Sequence, residues 1–148
     1  MGILRILTDG GSRGNPGNAA IGVVVFKVLA ETSFDDTKKA KVVYEHSGFI
    51  GTATNNEAEY KALLKALEWL SGNLTDIEKV EIYLDSKLVV EQINKNWKIK
   101  DARMSKFAND AWKILEGIDV NVNFFHIKRE KNSEADALVN QALDACQS

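Results

Sequence analysis

The sequence predicts an α/β fold: a mixed five-stranded sheet flanked by helices, with elements in the order βββαβααβα. Three observations point there. The first third of the chain carries short apolar blocks separated by clusters of Gly, Asn, Asp and Ser, the pattern of strands joined by turns. From Asn55 the apolar residues recur at helical spacing. Beyond Gly72, strand-like and helix-like segments alternate, as they do when helices pack on the faces of a sheet.

The elements follow in order. Ile3 to Leu7, Ile21 to Val28 and Val42 to Ile50 read as three strands. Gly10, Gly11, Gly14, Pro16 and Gly17 crowd the link between the first two, which predicts a tight, irregular turn. Asp35 to Lys41 reads as a polar loop that would tolerate insertion. Tyr60, Leu63, Leu64, Leu67 and Leu70 mark a long helix stopped at Gly72. Val80, Ile82 and Leu84 alternate as a fourth strand, followed by a short helix from Ser86 to about Asn94. A helix from Asp101 to Leu115 ends at Gly117, and Val120 to Ile127 makes a fifth strand. Asn132 or Ser133 then caps a last helix through Ala145.

The chain has 148 residues, read as a single domain over 1–148. At that length roughly 68–70% of the unfolded surface is buried. With 45% apolar residues the chain has a core without staples, and its lone Cys146 forms no internal disulfide. No apolar run reaches the roughly 18 residues of a membrane span, and the N-terminus has no cleavage-site pattern, so a cytoplasmic protein is expected. The charge of −2 removes the simplest argument for nucleic-acid binding, an overall basic chain.

The acids are more informative than the total. Asp9 and Asp85 each follow the apolar run of a strand, in the region where open α/β sheets hold ligands. Each also suits a cap or turn. In the long helix Glu57 and Glu59 point about 200° apart at roughly 100° per residue. Glu57 shares its side with Lys61 and Lys65 in an ordinary ion-pair stripe, whereas Glu59 lies with Leu63, Ala66, Leu67 and Leu70. A buried acid needs compensation, and the helix dipole is one source. Asp136 repeats the pattern beside Val139 and Leu143, with a capping box to Ser133 as its bland alternative. If these four converge, repulsion raises one or more of their pKa values unless a cation neutralises them. An all-carboxylate site suits Mg²⁺ or Mn²⁺, two of which form a recognised arrangement for displacement at phosphorus. One Cys and two His without ligand spacing disfavour zinc.

Four segments then resemble the ordered motifs of type 1 ribonuclease H. They are Thr8-Asp9-Gly10-Gly11-Ser12-x-Gly14-Asn15-Pro16-Gly17, Thr54-Asn55-Asn56-x-x-Glu59, Asp85-Ser86 and Asn132-x-x-Ala135-Asp136. The resemblance implies the ribonuclease H-like fold and endonucleolytic hydrolysis of the RNA strand of an RNA/DNA hybrid, leaving 5′-phosphate and 3′-hydroxyl ends. It implies two Mg²⁺ ions, with Mn²⁺ as substitute, held by Asp9, Glu59, Asp85 and Asp136, with Gly10 among the metal contacts. Asp9 would bridge the ions, Glu59 and Asp85 would share the first and Asp136 would complete the second. Gly11, Ser12, Asn15, Asn55, Asn56 and Ser86 would approach the minor groove and its 2′-hydroxyls. Thr54 and Asn15 would help hold a DNA-strand phosphate. Helix capping is the alternative for Asn55 and Asn56.

Two departures from the family stand out. Asn94 to Lys106 is too short for the basic, Trp-rich handle of many bacterial members, although it contains Trp97 among lysines. The loop where many members carry a catalytic histidine is Lys128-Arg129-Glu130-Lys131, while His126 falls inside the strand and reads as a packing residue. Arg129 is the candidate for a fixed positive charge beside the substrate phosphate. Trp69 and Trp112 fall on helical periods as packing residues, and Trp97 is weighed against a sugar or base of the DNA strand. The expected partner is the hybrid alone, for a monomer with no hybrid-binding extension. The rivals are a non-catalytic binding module that keeps the acids as caps, and a related nuclease or transposase acting on another substrate.

Overall fold

The computed structural model describes residues 2–28 and 40–146. The loop expected from Asp35 lies outside them, save for Ala40 and Lys41 at its end. Five strands form one sheet: β1 (Gly2–Gly14), β2 (Gly17–Val28), β3 (Lys41–Ala53), β4 (Ile77–Leu84) and β5 (Asn121–His126). Among the described residues four α-helices accompany them: α1 (Asn55–Leu70), α2 (Lys87–Ile93), α3 (Ala102–Glu116) and α4 (Ser133–Cys146). The sheet order is β3-β2-β1-β4-β5, with β1–β2 and β2–β3 antiparallel and β1–β4 and β4–β5 parallel. The fold is the mixed five-stranded α/β architecture and element order that the sequence predicts.

Side chains alternate across β1, so its two faces serve different layers. Leu4 and Ile6 pack with Val23, Val25, Val80 and Ile82 against Tyr60, Leu63, Leu67 and Leu70 of α1. Leu7 faces the other way, with Val24, Phe26 and Ala135, while Ala20 meets Val139 and Leu143 of α4. Each fully buried aliphatic side chain here contributes about 1.5–3 kcal/mol. Trp69 stacks on Tyr44, and Trp112 donates from its indole to the Ile93 carbonyl at 3.1 Å, so both are the packing residues expected. No described helix is long and apolar enough to cross a membrane.

Four local readings are corrected. The glycine-rich segment is not an irregular turn: β1 and β2 stay in register out to Gly14↔Gly17, which leaves only Asn15 and Pro16 as the turn. Neither Asn55 nor Asn56 caps α1. Thr54 does, accepting from Glu57 N at 3.1 Å while Glu57 Oε1 accepts from Thr54 N at 2.9 Å. Glu57 is thereby part of a capping box and pairs with Arg103 at 3.4 Å rather than standing in a stripe with Lys61 and Lys65. Both contacts hold its carboxyl below the usual range, the Thr54 main chain most of all. At α4 the Ser133 hydroxyl turns to Glu134 and the Asp136 carboxylate to Asn140, so the box expected between them is not built.

Candidate active site

Parallel pairing of β1 with β4 ends at Thr8↔Leu84, and the next residue on each strand is an acid. Asp9 continues along β1 opposite Gly22, while β4 gives way at Asp85 to the start of α2. A notch therefore opens between the strands at the level of the two carboxylates. Two glycines let helices close on it from opposite faces. A Cβ on Gly10 would lie 2.2 Å from the Ala58 carbonyl of α1, and one on Gly22 would lie 2.3 Å from the Ala135 carbonyl of α4. Neither helix could seat as deeply on a larger residue. Glu59 follows Ala58, and Asp136 follows Ala135, so these two contacts deliver the remaining acids.

Asp9, Glu59 and Asp85 each bring a carboxylate oxygen within 4.8 Å of the others. Asp9 and Glu59 are only 7% exposed. Burial, and next the Asp85 charge, push the Asp9 carboxyl up to about 7, and Asp136 adds to the rise. Burial, then the charges of Asp9 and Asp85, push Glu59 well above the carboxylate range despite the 2.5 Å hydrogen bond that Gly10 N donates to its Oε1. Contact between the two carboxyls lowers the Asp9 value and raises that of Glu59. Asp136 stands across the cleft, its side chain 34% exposed. An all-oxygen donor set of crowded acids, with no His or Cys on the cleft wall, fits a hard divalent cation such as Mg²⁺ or Mn²⁺.

The four acids line one cleft of about 530 Å³ together with Gly10, Gly11, Ser12, Asn55, Asn56, Ser86 and Arg129. Asn15 and Thr54 are not on its wall, but Asn15 is joined to it: Asn15 Oδ1 accepts from Asn55 N at 3.0 Å, and Asn55 Oδ1 accepts from Ser12 N at 2.8 Å. Ser86 caps α2 through Val89 N at 3.3 Å, which leaves Asp85 out of that role. Arg129, 82% exposed, approaches Asp136 to 3.9 Å. His126 is on β5 as read but exposed, away from the cleft wall and not packed inside. Trp97 is exposed in the link from α2 to α3, outside this cleft.

Sequence reasoning missed the part played by Asn132. It does not spend its side chain on capping α4. Fully buried, it donates from Nδ2 to the Thr8 carbonyl at 2.9 Å and to Asp85 Oδ2 at 3.2 Å. One amide thus ties the start of α4 to the ends of β1 and β4. Its place four residues before Asp136 was the available signal, but the same spacing suits a cap.

A family model described as reverse transcriptase-like matches residues 7–142. The chain is 36% identical to the ribonuclease H of Ruthia magnifica subsp. Calyptogena magnifica, and the match covers 97% of each. The chain belongs to the type 1 ribonuclease H family. Among solved members, LC11-RNase H1, isolated from compost, superposes with a TM-score of 0.85 at 42% identity over 100% of both chains. That protein has also been solved in complex with an RNA/DNA hybrid. Other relatives are longer: the match covers 95% of this chain but only 35% of the bifunctional protein of Mycobacterium tuberculosis, at 36% identity. Ribonuclease H membership places the glycine-lined notch, with its buried acids, in a family named for nuclease chemistry.

Proposed function

We propose that this chain is an endoribonuclease that hydrolyses the RNA strand of RNA/DNA hybrids with two divalent ions, leaving 5′-phosphate and 3′-hydroxyl ends. The observation that carries the reading is that three mutually crowded carboxylates and a set of outward amides share one cleft. Asp9 would bridge the ions, Glu59 and Asp85 would complete the first site and Asp136 the second, with the Gly10 main chain alongside. Bound there, the ions supply charge that activates water and stabilises the departing oxygen.

The chain's own residues do the rest. Asn15 and Asn55 use their amide oxygens inside the protein, so their NH₂ groups are left to donate outward. For Asn55 the acceptor is an RNA 2′-hydroxyl, with Gly11, Ser12, Asn56 and Ser86 on the same wall. For Asn15 it is a DNA-strand phosphate, to which Thr54 adds the O–H that its capping role leaves free. Arg129 sets a fixed positive charge beside Asp136. The protein acts as a monomer in the cytoplasm and requires the hybrid alone.

The test is a labelled substrate panel of hybrid, double-stranded RNA and DNA duplex, each with Mg²⁺ and with Mn²⁺, run on the wild type and on Asp9→Asn. The expected result is cleavage of the RNA strand of the hybrid, with the stated end groups, abolished in the folded variant. Cleavage surviving Asp9→Asn would remove the catalytic assignment. Cutting of the DNA duplex would move the chain to another substrate class.

A further inference from the structure

α4 carries a polar stripe of which the motifs assign only Asp136. Asp136, Asn140 and Asp144 stand at i, i+4 and i+8 and share one side of the helix. Facing them is Arg13, on the same side of β1 as Asp9. Its Nη2 pairs with Asp144 Oδ1 at 2.7 Å and donates to Asn140 Oδ1 at 3.4 Å. Asn140 Nδ2 in turn donates to Asp136 Oδ2 at 3.3 Å.

The direction of this relay is chemically determined. A guanidinium has donors only, so it takes the oxygen end of the Asn140 amide and leaves the NH₂ end toward Asp136. Asp136 has more need of such support than its neighbours. Asp9 and Glu59 are fixed by burial, and Asp85 is held by Asn132, but Asp136 is 34% exposed and stands outside the tight cluster of three. Arg129 comes no nearer than 3.9 Å and is itself exposed, so without Asn140 this aspartate would exchange rotamers in solvent.

We infer that Asn140 is a positioning residue for Asp136, and that Arg13, riveted by Asp144, holds Asn140 in the orientation this requires. The inference rests on the proposed role of Asp136 as a metal-holding acid. It links two parts of the site, because Arg13 directly follows Gly11 and Ser12: the segment that grips RNA is tied through one amide to an acid that holds a cation. The pair of Arg13 with Asp144, whose side chain is 70% exposed, adds little to stability, so the effect belongs in metal binding and turnover.

The experiment titrates Mn²⁺ calorimetrically into metal-free protein and measures hybrid cleavage for Asn140→Ala, Asn140→Gln, Arg13→Ala and the Arg13→Ala/Asn140→Ala double variant. Asn140→Ala is expected to weaken metal binding and lower kcat by about tenfold or more with KM unchanged, the scale seen when a ligand loses its orienting partner. Asn140→Gln, which keeps an amide on a longer arm, recovers part of the loss. Arg13→Ala moves both quantities the same way, and the double variant is no worse than Asn140→Ala, since both act through one contact. Thermal midpoints stay near the wild type. Metal binding and kcat unchanged in Asn140→Ala, beside an impaired Asp136→Asn, would overturn the inference alone. An unimpaired Asp136→Asn would overturn it together with the role given to Asp136. A higher KM and flatter salt dependence in Arg13→Ala, with metal binding intact, would make Arg13 a phosphate contact and sink the relay.

Discussion

Asp9 and Glu59 are acids that the fold holds where their charges are least welcome, and this has a measurable sign. The Asp9 carboxyl sits near 7 in the folded protein against 3.8 as its ordinary value, so between those values the native state binds more protons than the unfolded one. Stability of the metal-free protein should therefore be greatest at low pH and fall as pH rises from about 4 to about 7. Mg²⁺, competing with those protons, should restore stability at about pH 7.5 and do little at about pH 5. Thermal unfolding with a chelator and with Mg²⁺ at the two pH values checks this, and Asp9→Asn should flatten the dependence while raising the metal-free midpoint near neutrality. A chelated protein more stable at the higher pH would contradict it. Asn132 gives a second prediction. Asn132→Ala removes one buried and one partly buried hydrogen bond, which should cost roughly 2–4 kcal/mol in denaturant unfolding and weaken Mn²⁺ binding by about tenfold or more. The inward side of Glu59 was legible because helical spacing separates it from Glu57. Asn132 was not, since a short polar residue before a helix looks the same whether it caps the helix or reaches across to two strands.

At the scale of elements, the long-range contacts that build the site run through main chain at two glycines. Gly22→Ala would drive a methyl into the Ala135 carbonyl and the Leu138 side chain, the latter 2.9 Å away, so α4 must lift from β2. Expected is a loss of about 1–3 kcal/mol in stability, as for other overpacked sites, with a larger proportional loss in hybrid cleavage because Asp136 rides on that helix. Equal losses in both would mean that the helix shifts without moving the acid. The sequence shows where α1 begins and ends because the helical period starts after Asn55 and stops before Gly72, although the cap itself falls to Thr54. It does not show that β1 runs on to Gly14, since glycines carry no strand propensity and only their pairing with β2 reveals the ladder. Nor does periodicity show that the notch opens where β4 stops pairing, which is a property of two strands that are distant in sequence.

The whole molecule separates its charges. Residues 95–131 hold nine Lys and Arg against five Asp and Glu, a local +4, which leaves −6 on the rest of a chain whose total is −2. Not all of the basic residues are free to meet a substrate: Lys95 lies 4.8 Å over the Trp112 ring, and Arg103 pairs with Glu57. On the cleft wall the cations are Arg13, engaged with Asp144, and Arg129. Hydrogen bonds to 2′-hydroxyls and phosphates from neutral amides fix register without releasing counterions, whereas each phosphate neutralised by Lys or Arg adds about 0.9 to the slope of log K against log salt for a B-form duplex. With few basic side chains on the wall, the hybrid should bind through two to four neutralised phosphates, giving a slope of roughly −2 to −4. Arg129→Ala should reduce that slope by about one and weaken binding to any hybrid sequence alike, because a phosphate contact carries no base information. The measurement is equilibrium hybrid binding by Asp9→Asn, which keeps the substrate intact, across a salt series in Ca²⁺. A slope near zero would mean that the amide wall alone holds the hybrid. A slope far steeper than −4 would mean that the basic stretch from Lys95 to Lys106 lies along the duplex, so that the lysine-rich link does the work of the handle it is too short to form.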